Sequence, residues 1–374
     1  MLRQADPSTG AGPVDDAMPA AHPMSIFDNP EFDDHEVVHA FCDPAAGLKG
    51  FIAIHSTVLG PAFGGCRMWN YPGEGEAVRD ALRLSQGMSY KNALAGLAYG
   101  GGKAVIIADP RRDKTPDLLT AFGRVVESFG GRYITAEDVG TGIDDMLVVA
   151  GVTRHVSGIA REGGFAGGDP SPKTALGLFH AMRAAVRFAL GREDFAGLTV
   201  AVQGLGNVGY KLCQLLHDAG ARLTVADVVE ANVARAAADL GATAVAADRI
   251  LAAEADVLSP CALGGVLNAG SIPHIRAPIV CGSANNQLAT PEDGERLRQR
   301  GILYAPDYVV NAGGIISAVA EYEGNVPELV VDERIAAIHD RTLQILERAR
   351  AEDSATSAVA DQMAREIIAR ARQA

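Results

Sequence analysis

Cysteine is scarce in this 374-residue chain, and its layout excludes more than its number does. Cys42, Cys66, Cys213, Cys261 and Cys281 are odd in count and widely spaced, with no C-x-x-C pair. That pattern argues against a disulfide framework or a cysteine zinc site and fits reduced thiols in a cytoplasmic protein. The nine histidines include no H-E-x-x-H, so no metal site is expected. His35 and His39, among Asp33, Asp34 and Glu36, are expected on an exposed acidic helix. Basic residues are outnumbered 33 to 46, for a net charge of −13. A phosphate-binding face needs the opposite balance, which argues against nucleic acid as a partner. The longest uncharged run near the end, Val309 to Ala320, is far below the ~20 residues of a membrane span. Residues 1–24 lack both a signal peptide's apolar core and the arginine-rich, acid-poor composition of a transit peptide. They are expected to form a disordered tail.

Glycine, by contrast, is plentiful: 42 residues, above the usual ~7%. The length implies two domains. Gly100-Gly101-Gly102-Lys103 runs straight into the apolar stretch Ala104-Val105-Ile106-Ile107. Two readings fit: a tight turn with a lysine snorkelling to water, or a loop that holds the lysine beside a ligand. A second lysine, Lys91, lies twelve positions upstream in an equally charge-poor stretch. Helical spacing of Val78, Ala81, Leu82, Ser85 and Met88 places Lys91 near the end of a helix over 76–96. A strand is expected over 50–58. Thr115-Pro116-Asp117 starts a helix to about Phe129. The short strand 132–135 then delivers Ala136-Glu137-Asp138 to its carboxyl end, where ligands gather in α/β folds. Asp138 either caps a helix beginning near Ile143 or brings a carboxylate to the two lysines.

The glycine-rich stretch Gly163–Asp169 is the best domain boundary. Beyond a helix over 173–190, which carries Thr174 in its first turn, the strand Leu198–Gln203 enters Gly204-Leu205-Gly206-Asn207-Val208-Gly209. An amphipathic helix follows, and then a strand, 222–226, ending at Asp227. A lone G-x-G-x-x-G is weak, but strand, turn, helix, strand and acid in this order form a dinucleotide site. Gly204 and Gly206 would let backbone N–H groups approach a pyrophosphate, and Gly209 would let helix and strand pack closely. Asp227 would hold the ribose hydroxyls, and Val228 and Val229 offer nothing to a 2′-phosphate, so NAD is expected rather than NADP. Asn285 and Asn286 follow another strand end. They are either ordinary turn residues or substrate contacts. Helices over 332–352 and 356–372 are expected to pack back across both domains.

Taken together, GPAFGGCRMW, GMSYKNALAGLAYGGGKAVI, GRYITAEDVGT, GLGNVG, SPCALGG, GSANNQL and YAPDYVVNAGG resemble the amino-acid dehydrogenases. That family includes leucine, valine, phenylalanine and, more distantly, glutamate dehydrogenase, and the pattern is nearest its leucine and valine members. The resemblance covers about Leu59 to Glu352. It implies an α/β fold of two domains across a cleft: a substrate and oligomerisation domain at 25–160, a Rossmann-type doubly wound NAD domain at 161–330, and returning C-terminal helices at 331–374. It implies Lys103 as the catalytic base, Lys91 as the partner of the substrate carboxylate, and Asp138 as an aid to proton transfer. Gly65 and either Asn285 or Asn286 would also touch substrate, while Thr174, Asn311 and the 204–209 turn, including Leu205, Asn207 and Val208, would contact NAD. Phe63, Ala136, Ile315 and Ala318 would line the side-chain pocket, Phe63 narrowing it and Ala318 widening it relative to the leucine enzymes. Ala320 and Ser259 depart from the family pattern, in place of an acid and an alanine.

A free lysine titrates near ~10.4, so a lysine base must be made neutral. Burial and the charge of Lys91 favour that, and Asp138 opposes it. The glycine triplet would let the substrate carboxylate approach the backbone. The implied activity is reversible, NAD-dependent oxidative deamination of a branched-chain L-amino acid to its 2-oxo acid and ammonia, by a homo-oligomer. The alternatives are an aromatic amino-acid dehydrogenase and a catalytically silent NAD-binding protein.

Overall fold

The computed structural model describes residues 25–159, 166–192 and 194–373. The expected tail, and Gly163 and Gly164 of the expected boundary, lie outside them. The chain builds two sheets joined by one long helix. The first contains β1 (Val37–Asp43), β2 (Leu48–Ser56), β3 (Ala62–Phe63), β4 (Cys66–Trp69), β5 (Gly100–Ile107) and β6 (Tyr133–Ile134). Helices α1 (Glu74–Leu94), α2 (Pro116–Ser128) and α3 (Ile143–Ala150) accompany it. Its order is β1-β2-β5-β3-β6, with β4 paired to the far half of β5. β1, β2 and β5 run antiparallel in turn, and β3, β4 and β6 join in parallel. Thr115 caps α2 by accepting from the Leu118 N–H, with Pro116 following it, as the sequence implied.

Helix α4 (Ser171–Leu190) leads to the second sheet. There β7 (Thr199–Gln203), β8 (Arg222–Ala226), β9 (Thr243–Ala244), β10 (Val257–Pro260), β11 (Ile279–Val280) and β12 (Leu303–Tyr304) are all parallel. Helices α5 (Asn207–Asp218), α6 (Glu230–Leu240) and α7 (Glu292–Gln299) lie between them. The order β12-β11-β10-β7-β8-β9 reverses direction between β7 and β10, the crevice where doubly wound sheets bind ligands. A short α8 (Asp307–Val310), α9 (Gly313–Glu323), α10 (Glu328–Ala336), α11 (Ile338–Ala351) and α12 (Thr356–Ala371) complete the chain. α12 packs on α1, and α11 packs on α4, so the terminal helices do return to the first half.

Two expectations are overturned. The glycine triplet is no turn: Gly100, Gly101 and Gly102 are the first residues of β5, buried in the middle of the sheet. Their lack of side chains serves packing, because a Cβ on Gly101 would strike the α1 backbone at Ser89 and Ser85. One on Gly102 would come within 2.8 Å of the Tyr133 ring. Nor is there an acidic helix around His35. His39 lies in β1, and His35 is buried just before it, its Nε2 3.0 Å from the Leu82 carbonyl and 3.1 Å from Ser85 Oγ. Pairing with β2 decided the matter, as β1 matches it residue for residue from Val37 with Ile54 to Asp43 with Leu48.

Candidate active site

Between the two sheets lies a cavity of about 400 Å³. From the first side it is lined by Gly65, Lys91, Lys103, Ala136 and Asp138, and from the second by Thr174, Val208, Asn285, Asn286, Asn311, Ile315 and Ala318. Lys103 projects from β5 with only 6% of its side chain exposed, and its Nζ sits 2.9 Å from Asp138 Oδ2. Burial alone would raise the Asp138 carboxyl, but the charges of Lys103 and Arg67 outweigh it and hold that group well below the carboxylate range. Asp138 is therefore an anion, and Asp145, not Asp138, serves the start of α3 by accepting from the Gly142 N–H.

Lys91, on the last turn of α1, is the complementary case. Among the described residues its ammonium has no hydrogen bond and no contact ion pair. Burial pushes it from 10.5 down to about 8; the Asp307 carboxylate acts against this and Lys103 adds to it. Asp307 belongs to α8 on the other side of the cleft and accepts from the Gln287 and Tyr308 N–H groups at 2.7 and 2.6 Å. A buried cation without a contact partner is costly, and an incoming carboxylate removes the cost.

On the second side the glycine turn has the shape a dinucleotide needs. Gly204 has φ +92°, a conformation that favours glycine, and a Cβ on Gly209 would collide with the Gly204 carbonyl oxygen. Gly206 is the N-cap of α5, so the N–H groups of Asn207, Val208 and Gly209 open its first turn. Among the described residues three side-chain acceptors on this side are buried without a partner: Gln203 Oε1 at the end of β7, Gln287 Oε1 beyond β11, and Asn311 Oδ1 in the cleft wall. Asn311 Nδ2 donates to the Ser283 carbonyl and to Asn285 Oδ1 at 3.1 and 2.8 Å, which aligns Asn285 rather than Asn286. Asn286 instead occupies a left-handed turn at φ +52°. An unfilled buried acceptor beside a glycine turn fits a ligand that carries amide donors and a pyrophosphate, as a nicotinamide dinucleotide does.

The geometry matches what the chain is similar to. The model of the Glu/Leu/Phe/Val dehydrogenase dimerisation domain matches residues 35–155, and that of the glutamate/leucine/phenylalanine/valine dehydrogenases matches 163–231 and 227–374. The chain belongs to this family. It is 48% identical to leucine dehydrogenase of Geobacillus stearothermophilus over 352 residues, which cover 94% of this chain and 95% of the relative. Against valine dehydrogenase of Streptomyces virginiae the identity is 48% over 341 residues, 90% and 95% of the two chains. The crystal structure of L-tryptophan dehydrogenase from Nostoc punctiforme superposes with a TM-score of 0.81 at 40% identity, covering 91% of this chain and 97% of that one. The protein is thus an amino-acid dehydrogenase, of a family that uses NAD(P).

Against that family background, two expected contacts are displaced and two others were missed. Phe63 does not line the cavity: it is fully buried on β3, its ring edge-on to Tyr99 and Tyr322. Leu205 is core as well, and its N–H is already donated to Asp227 Oδ2 at 2.6 Å, so it is not available to a phosphate. Asp227 also accepts from the Val229 N–H at 2.7 Å, which fixes the carboxylate at the end of β8. Arg67 and Asp307, to which the motifs gave no role, also stand in the lining. Both lie in the motifs GGCRMW and YAPDYVV, but Asp138 and Asp80, which hold Arg67, and Lys91, which Asp307 faces, are distant along the chain. Of the two departures, Ala320 is fully buried in the core beside Glu321, which is itself buried, and Ser259 is buried at the end of β10.

Proposed function

We propose that this dehydrogenase uses NAD to deaminate branched-chain L-amino acids, with Lys91 receiving the substrate carboxylate and Lys103 acting as base. One observation carries the reading: Lys91 is a cleft-wall cation with no contact partner among the described residues, across from the amides of the dinucleotide sheet. Pairing there places the amino acid with its Cα near Lys103. NAD, when bound, accepts the hydride from Cα. Lys103 takes a proton from the amino group and passes it to solvent, then takes one from the water that attacks the resulting iminium carbon and returns it to the departing amine; Asp138 holds the Lys103 head group in place. Overall, amino acid, NAD⁺ and water give 2-oxo acid, NH₄⁺, NADH and a proton. Asp227, with the exposed Val228 and Val229 after it, favours NAD over NADP.

Ala136, Ile315 and Ala318 face the side-chain end, and Glu137 and Glu321 stand nearby in the lining. Acids there oppose a second substrate carboxylate and disfavour glutamate. A second reading, an aromatic substrate, draws on the placement of Phe63: withdrawn into the core, it does not narrow the pocket that Ala318 leaves wide. In this reading residues 25–160 carry the substrate site, 161–330 carry NAD, and 331–374 brace the first part. The chain works as a homo-oligomer in the cytoplasm. The test is NADH formation at alkaline pH with leucine, valine, isoleucine, phenylalanine, tryptophan and glutamate. Turnover on the first three above the rest supports the reading, and activity on none of the six overturns it. Lys103→Ala is expected to abolish turnover while NADH still binds.

A further inference from the structure

Asp138 poses a problem for the mechanism. A carboxylate 2.9 Å from Lys103 stabilises the ammonium, whereas a base must give its proton up. A second cation sits on the same oxygen: Arg67 Nε donates to Asp138 Oδ2, also at 2.9 Å. The other end of that guanidinium is anchored, with Nη1 2.9 Å from Asp80 Oδ2. Asp80 is held in turn by the Tyr71 hydroxyl at 2.7 Å and by Arg83 at 3.0 Å. Charges thus alternate in one line, Lys103, Asp138, Arg67, Asp80, Arg83, running from β5 through β4 to α1, the helix that carries Lys91. Lys103, Asp138, Arg67 and Asp80 are each less than a fifth exposed, so solvent screens them weakly.

We propose that Arg67 is a positioning residue for the base: by sharing the Asp138 oxygen it keeps that carboxylate fixed beside Lys103 without letting it retain the lysine proton. Asp80 tempers Arg67 in the same way from the other side. The inference rests on Lys103 being the base. Other groups near Lys103 do not replace this control. Burial pushes the Cys66 thiol and the Tyr133 hydroxyl up, so both stay neutral. Lys91 is offset by the substrate carboxylate once substrate is bound. Asp307 faces Lys91, and Glu137 and Asp145 flank Asp138 without touching Lys103.

The experiment follows kcat against pH at saturating NAD and leucine, where Lys91 stays paired and the acid limb reports the base in the complex. Arg67→Met is expected to move that limb up by about one unit, a tenfold loss below it, with a lower alkaline plateau and NADH affinity little changed. Asp80→Asn removes the counterweight and is expected to move the limb down. Arg67→Lys keeps the charge and should hold the limb near its wild-type position at a lower plateau. Opposite shifts in Arg67→Met and Asp80→Asn are a result that simple loosening of the fold would not give. A limb that stays put in both variants, or moves the same way in both, overturns the proposal. If Arg67→Met does not fold, Asp80→Asn decides alone, a downward shift supporting the proposal and no shift overturning it. Separately, an acid limb that survives in Lys103→Ala refutes the assignment of the base itself.

Discussion

Lys91 shows what it costs to keep an unpaired ammonium in the cleft wall. Its ammonium is held at about 8 against an ordinary 10.5, so at neutral pH the fold carries a charged group it would rather lose. The penalty is on the order of 3 kcal/mol. Lys91→Met is therefore expected to raise the melting temperature at pH 7 while removing productive substrate binding. The sign follows from proton counts. Between pH 8 and 10.5 the unfolded chain keeps this proton and the folded chain does not, so wild-type stability gains with pH there and the methionine variant does not. Thermal melts of both proteins across that window check the claim, and a variant less stable than wild type at pH 7 would refute it. The same titration governs substrate: KM for the 2-oxo acid should rise as pH passes about 8, because the receiving charge is lost. Pocket size is also a residue-scale matter. Ala318→Val narrows the wall, and since a methylene is worth ~1–3 kcal/mol, kcat/KM should fall about tenfold or more for an aromatic substrate and far less for valine.

At the scale of elements, β5 changes the meaning of the glycine triplet. The sequence suggested that the triplet is bare so that the substrate carboxylate can approach the backbone. In the structure Gly101 faces the α1 backbone, so Gly101→Ala has to separate strand from helix. A loss of about 1–3 kcal/mol or more in denaturant unfolding is expected, and α1 would carry Lys91 away with it. An alanine variant as stable as wild type would return the triplet to a purely functional role. The contrast with the dinucleotide half is instructive. β7, its glycine turn and α5 were legible because apolar period, turn chemistry and strand order agree within about thirty residues. β5 was not, since extended glycines look the same as turning ones until their neighbours are known. β1 was hidden for a similar reason: acids precede it, and only its register with β2 makes it a strand. Lys91, Lys103 and Asp138 could be read from motifs. The Arg67 bridge could not, because its partners lie 71 and 13 positions away.

For the whole molecule, the question is how the two sides of the cleft are held at the distance that chemistry needs. Where the chain leaves the first sheet, Glu321 Oε1 of α9 accepts from the N–H groups of Gly158 and Ile159 at 2.9 and 2.7 Å. Ser157 Oγ donates to the Ala318 carbonyl at 2.8 Å. The crossing segment is thus strapped to the helix that also supplies Ile315 and Ala318 to the pocket. Glu321 is buried, so its loss leaves two backbone donors unsatisfied, each worth ~1–3 kcal/mol. In Glu321→Ala the two halves should meet less faithfully, and hinge-type changes move kcat and KM together. NADH binding to the second sheet alone does not need that alignment and should be unchanged. Titrating NADH fluorescence beside steady-state kinetics separates the two effects. Lost NADH affinity would mean that Glu321 supports the nucleotide fold itself, whereas unchanged kcat would mean that the strap plays no part in aligning the cleft.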